Sequence, residues 1–200
     1  MKFKMTRTKM VYLGVLIVLI AMAGVGWKLT ARTSYESAEF KLLESDGAFE
    51  IRDYPDLMLA TTKMKSQGGD GSFGRLFGYI SGKNENDVKI AMTTPVFMES
   101  ESTSAEGQMG FVVPRKASSE HIPHPTNGEV QIRMRHGGRF AVIRFSGRMD
   151  DNLMSEKEDK LRQWVDAKGL PRTAGFECAG YDPPWTPSAF RRNEILIRLQ

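Results

Sequence analysis

The chain holds a single cysteine, Cys178, in 200 residues. That excludes an intramolecular disulfide, a CxxCH haem attachment and any multi-cysteine zinc or iron–sulfur site. Histidine is nearly as scarce. His121 and His124 sit in the proline-rich EHIPHP and His136 in the turn RHGG, so each reads first as a solvated loop residue. No P-loop, dinucleotide fingerprint, HExxH or GxSxG is present. Glu156, Glu158 and Asp159 fall on the solvated side of a helical stretch, and Cys178 lies in an apolar strand-like run without a neighbouring histidine. Neither arrangement makes a general acid–base pair or an activated nucleophile. The chain is therefore expected not to be an enzyme.

Charge is missing in an informative way. Residues 1–32 hold six basic residues and no acidic one, and residues 10–27 hold no charge at all. Taking those six from 28 leaves 22 basic residues against 24 acidic ones over 33–200, a net of −2. The formal +4 of the whole chain is thus no argument for nucleic acid, and no nucleic-acid partner is expected.

Lys2, Lys4, Arg7 and Lys9 form a basic tail, 1–9, ahead of MVYLGVLIVLIAMAGVGW, residues 10–27. As a helix that run reaches about 27 Å, near the lower limit for crossing a bilayer. Positive charge before it favours a cytoplasmic N-terminus with the body on the extracytoplasmic side. The rival reading is a cleaved signal, with Ala21-Met22-Ala23 as the processing site. Both readings export the body. A polar linker over 28–38 then leads to a domain over 39–200.

Within that domain two halves follow one plan. FEIRDY (49–54) and LMLATTKM (57–64) read as strands, and SFGRLFGYI (72–80) spaces Phe73, Leu76, Phe77 and Ile80 as one helical face. VKIAMTTPVFME (88–99) and MGFVVP (109–114) read as two more strands. In the second half VQIRMR (130–135), HGG and RFAVIRFSG (139–147) carry a hairpin signal. A helix over 152–168 stops at Gly169, and FECAGY (176–181) and NEILIRL (193–199) are the last strands. The prolines of DPP and the WTPSAF loop separate those two, and Glu194 is expected to pair with Arg191 or Arg192.

YISGKN (79–84), MTTPV (92–96), CAGYDPP (178–184) and RRNEILI (191–197), with FEIRDY ahead of them, resemble the SOUL haem-binding protein family. The resemblance runs from about Tyr35 to Leu199. It implies an α+β fold: a distorted eight-stranded antiparallel β-barrel of two βαββ-type pseudo-repeats with two packed helices, here preceded by an N-terminal transmembrane helix. It further implies non-covalent binding of haem or another tetrapyrrole, as carrier, buffer or sensor, on a shallow apolar surface around the first helix. On this chain the implied ligand-binding residues are Phe73, Arg75, Leu76, Phe77 and Tyr79. Arg75 is the propionate candidate, and Gly74 and Gly78 would let a flat ring approach the backbone. The apolar stripe is equally a core face.

No histidine lies in the helix, so the metal ligand is unknown. Tyr79 and Met92 are the oxygen and sulfur candidates, and His121 or His124 would serve if their loop folds over the site. The alternative function is a membrane-tethered module for a protein partner or a small effector.

Overall fold

The computed structural model describes residues 12–20, 35–65, 70–100, 107–119 and 122–200. The chain divides into two compact units, Met1–Ser34 and Tyr35–Gln200. In the first, residues 12–20 form a helix, α1, with exposed side chains. No helix among the described residues is long and apolar enough to cross a membrane. The rest of the expected 10–27 span, and His121, lie outside the described residues.

The second unit opens with β1 (Glu36–Ser37), which pairs in parallel with β5 (Thr93–Thr94). All other strands belong to one sheet: β2 (Lys41–Asp46), β3 (Phe49–Tyr54), β4 (Leu57–Met64), β6 (Val96–Ser100), β7 (Gly107–Val112), β8 (Gln131–Arg135), β9 (Gly138–Phe145), β10 (Phe176–Gly180) and β11 (Asn193–Arg198). Its order is β2-β3-β9-β11-β10-β6-β7-β4-β8, and every described pairing is antiparallel. The helices are α2 (Ser72–Ile80), the single turn α3 (Arg115–Ser119) and α4 (Asp151–Ala167). The two expected repeats are visible in that order. β4, β7 and β6 mirror β9, β11 and β10, and the halves meet where β6 pairs with β10.

Three expectations need correction. Among the described residues the sheet has nine strands, not eight, because KLLESD (41–46) is a fully exposed edge strand that carries no burial pattern. The linker ends earlier than expected, since Glu36 and Ser37 already pair with β5. And β8 and β9 are no hairpin. β3 pairs with β9 and β4 with β8 in one continuous register, interrupted only at Pro55-Asp56 and His136-Gly137. Each half lends a strand to the other, and the two ends of the sheet are joined through these bent segments. The bends touch: Gly137 N–H donates to Asp56 Oδ1 at 2.7 Å, and a Cβ on Gly137 would lie 2.3 Å from Tyr54 O. Gly137 is therefore required by close approach. The 88–99 run is a strand only over 93–94 and 96–100, with Pro95 supplying no N–H between them.

Period-two alternation gives the sheet two different faces. One is covered by helices. α2 packs Leu76, Tyr79 and Ile80 on Ala60, Met109 and Phe111, and α4 packs Met154, Leu161 and Val165 on Ala141, Ile195 and Ile197. Asp150 caps α4 by accepting from Leu153 N–H at 3.0 Å, and Gly169 ends it at φ 66°. The other face carries Tyr54, Leu59, Phe97, Phe140, Val142 and Leu196 in a third core, with Arg52, Glu194, Arg135 and Glu177 beside it.

Candidate functional site

α2 begins at Gly71, whose φ of 80° is left-handed. Asp70 supplies the missing cap: its carboxylate accepts Lys65 N–H at 2.8 Å and Ser72 N–H at 3.1 Å. These backbone donors, Lys65 first, hold the Asp70 carboxyl down at about 2. The helix ends in a Schellman turn. Gly82 takes φ 115°, Gly82 N–H donates to Tyr79 O at 3.3 Å, and Lys83 N–H donates to Gly78 O at 2.9 Å. That turn folds the Lys83 stem back over Gly78, with Cδ 3.1 Å from where a Cβ would stand.

The five expected ligand-binding residues separate cleanly. Phe73 and Phe77 stack at 6.0 Å with an interplanar angle of 12°, and Phe73 meets Phe111 edge-on at 5.2 Å. Phe77 is 51% exposed, the largest apolar exposure on the helix. Leu76 and Tyr79 are buried in the core under α2, so they do not reach the surface. At about 100° of helix per residue, Leu76 lies roughly 100° and Tyr79 roughly 200° round from Phe77, so both point away from its exposed side. Arg75 is not an outward-facing cation either. Its Nε donates to Thr62 Oγ1 at 3.0 Å, Nη1 to Asp70 O at 3.1 Å and Nη2 to Lys63 O at 2.7 Å. Nε and Nη2 tie α2 to β4, and Nη1 ties it to the loop just ahead of the helix.

Two further residues complete the outward face. A Cβ on Gly74 would meet nothing within 4 Å, so the backbone there is open beside the two rings. Lys83 is exposed, and its stem lies against the second glycine. The surface is a flat aromatic pair, an uncovered backbone strip and an ammonium at one end. It fits a planar apolar ligand carrying a carboxylate. Lys83 was legible in SGK after YI, because a glycine at the helix exit folds the next residue back onto the last turn.

The iron-ligand candidates fare unequally. Burial raises the Tyr79 phenol to about 12, and its hydroxyl donates to Pro123 O at 2.8 Å. Met92 packs partly buried against the same core. The 122–125 segment does fold onto the end of α2, through that bond, Glu85 N–H to His124 O at 2.8 Å and an Asn84–Pro125 bridge. His124 is exposed there. His136 is exposed at the bend between β8 and β9. No group of three or more His, Cys, Asp or Glu suited to a metal occurs among the described residues.

The C-terminal residues with chemical potential are enclosed. Burial pushes the Cys178 thiol up to about 12, and its sulfur sits 3.6 Å from Met154 Sδ. Glu194 accepts from Arg52 at 2.7 and 3.0 Å, Tyr181 Oη at 2.9 Å and Arg192 Nη2 at 2.6 Å. Arg192 is thus one of its partners, as expected, while Arg191 turns to the Thr186 and Pro184 carbonyls. Arg52, far away in sequence, is the partner that local reading does not reach. Burial favours a neutral Glu194, but the Arg52 and then Arg192 guanidiniums outweigh it and hold the carboxyl below its ordinary value.

The family model of the SOUL heme-binding protein matches residues 35–198. The chain belongs to this family. Among relatives of this SOUL domain, Heme-binding protein 1 of Xenopus tropicalis is 28% identical over 173 residues, covering 80% of this chain and 90% of that protein. Heme-binding protein 2 of Homo sapiens is 28% identical over 170 residues, covering 76% and 78%. Among solved structures, the EcmrR C-terminal domain aligns with a TM-score of 0.57 at 14% identity, over 76% of this chain and 96% of that one. A hydrolase from Listeria innocua aligns with a TM-score of 0.53 at 9% identity, over 79% and 94%. At those identities the structural likenesses establish the α+β fold of the SOUL domain and nothing about its ligand.

Proposed function

We propose that this chain binds haem or a related tetrapyrrole non-covalently on the outward face of α2 and handles it without converting it. The observation that carries the reading is the stacked Phe73–Phe77 pair, with Phe77 half exposed beside the uncovered backbone of Gly74. Family membership and relatives named for haem binding point to the same ligand. Phe73 and Phe77 supply the apolar contact, Lys83 pairs a propionate, and Arg75 holds the helix on the sheet. His124 is the axial candidate whose segment reaches the helix end. The body works outside the cytoplasm, delivered and tethered by the uncharged 10–27 segment.

The test is a haemin titration of the full chain in mild detergent, followed at the Soret band. Saturable binding is expected. Phe77→Ser removes the exposed ring and weakens binding about tenfold or more, from the loss of roughly 1.5–3 kcal/mol of apolar burial. Lys83→Gln weakens haemin a few-fold, as about 0.2–1 kcal/mol for an exposed ion pair requires. The same substitution leaves haemin dimethyl ester, which has no propionate charge, unaffected. A spectrum identical to free haemin removes the tetrapyrrole reading, and wild-type affinity in Phe77→Ser removes the site.

A further inference from the structure

The chain between β10 and β11 carries prolines and aromatic rings that the tetrapyrrole face does not use. Trp185 is 69% exposed and Phe190 70%, more than any other described large apolar side chain of the Tyr35–Gln200 unit. Pro184, Pro187 and Ala189 in the same loop are exposed as well. Rings of this size held in water are an unfavourable arrangement that a partner surface would relieve.

The loop is stiff, and much of its backbone is satisfied from within. Pro183, Pro184 and Pro187 bring no N–H. Thr186 N–H donates to Pro183 O at 3.0 Å, Phe190 N–H to Pro187 O at 2.9 Å, and Gly147 N–H to Ser188 O at 3.0 Å. Arg191 donates through Nε to Thr186 O at 2.7 Å and through Nη2 to Pro184 O at 2.5 Å. Asp182 Oδ2 closes the base by accepting Arg192 N–H at 2.6 Å. A loop that stays in water has no need of such pairing. One that leaves water does, because each unsatisfied backbone group adds to the cost.

The loop's place in the sheet points to the partner. Gly180 pairs with Val96 of β6 and with Asn193 of β11, so the loop leaves the sheet at the end where β6 begins. β5 lies just before that point, and β1 pairs with it as the chain enters the domain. Ala38 N–H donates to Thr94 O at 2.8 Å, and Ala38 shares one core with Tyr181 at the root of the loop. Entry and loop therefore occupy one end of the sheet. Seven residues, 28–34, separate the uncharged 10–27 segment from Tyr35. Fully extended they reach at most about 30 Å, so a bilayer holding 10–27 keeps Tyr35 within that distance of its surface. Exposed Arg148, next to Gly147, is answered by exposed Asp150 and Asp151, so this end offers apolar contact rather than net positive charge.

We propose that the 182–192 loop is a bilayer-contact surface. Trp185 and Phe190 lodge in the headgroup region of the membrane that holds the 10–27 segment, where the rings find apolar contact and the indole N–H keeps a polar partner. The occupant is a zwitterionic phospholipid surface, and the contact fixes which end of the domain faces the lipid. It rests on the tether in the proposed function and is independent of tetrapyrrole binding.

The experiment reconstitutes the full chain into phosphatidylcholine vesicles, with and without bromine on the acyl chains. Flotation of the chain with the vesicles after a high-salt wash reports the tether. Quenching of tryptophan emission by the brominated lipid reports the loop, as the part of the quenching that Trp185→Phe removes. Wild type is expected to lose more emission than Trp185→Phe does. Phe190→Ser is expected to lower that excess about twofold or more, because interfacial binding scales with buried apolar area. Both positions are exposed, so neither substitution touches the core. Flotation with equal quenching in wild type and Trp185→Phe leaves the tether standing and overturns the loop contact. A chain that does not float removes the tether and the proposal with it. If Trp185 is unquenched and Trp185→Phe instead disrupts self-association in detergent, the loop is a contact between copies and the bilayer proposal falls.

Discussion

Glu194 shows how a charge is kept in a core. It is fully buried on β11 and meets the bidentate Arg52 of β3, the Tyr181 hydroxyl and Arg192. Arg52 is itself completed by Glu50 Oε2 at 2.6 Å and Tyr54 Oη at 2.9 Å, and lies 4.1 Å from the Phe40 ring centroid. Every strong donor and acceptor is used, which is the condition under which a buried ion pair is tolerable. Removing one partner strands the other. Arg52→Leu is expected to lower unfolding free energy by about 3–5 kcal/mol, read as a drop in urea midpoint, because Glu194 then stays buried without its bidentate partner. The double variant Arg52→Leu/Glu194→Leu should recover part of that loss. A single variant as stable as wild type would show the cluster to be dispensable.

At the scale of elements, the bend shared by β3–β4 and β8–β9 does most to decide the topology. Gly137 faces Tyr54 O, Pro55 C and Asp56 N at 2.3, 2.6 and 2.8 Å from a Cβ position, all of them backbone. None of those atoms can rotate away. Gly137→Ala should therefore destabilise by about 1–3 kcal/mol or more, with calorimetry as the measurement, whereas Gly74→Ala in open space should not. An unchanged melting temperature for Gly137→Ala would mean the two bends separate freely. The same bend explains what the sequence could and could not convey. The run of β3 and β4 and the stop of α4 at Gly169 were readable, since each rests on local periodicity or capping, but the face of α2 was read only in part, because Tyr79 is buried and Phe77 is exposed. HGG between two strand-like runs looks like a hairpin whether or not those strands pair, because the partners of β8 and β9 are about 80 residues away. The partners of Arg75 were hidden for the same reason. Its charge was visible, but the Thr62 hydroxyl and Lys63 carbonyl that engage it belong to β4.

The whole domain is a sheet with unlike faces, and its response to acid follows from where the carboxylates lie. Glu194 locks β11 of the second repeat to β3 of the first, and Asp70 locks the start of α2 to the end of β4. The folded state holds both below their ordinary values of 4.5 and 3.8, Asp70 at about 2. A carboxyl depressed on folding contributes stability that is complete above its unfolded pKa and is lost as pH falls through the folded one. The contribution should accordingly be level from pH 7 down to about 5, then decline as protons compete with Arg52, Lys65 and Ser72. Because the two groups tie different pairs of elements, their losses add in one cooperative unit. Urea midpoints at pH 7, 5 and 3 are the measurement. Wild type should fall steeply between pH 5 and 3, and Asp70→Asn, already lacking its share, should start lower and fall less. A parallel decline in both proteins would place the acid sensitivity elsewhere than at the cap of α2.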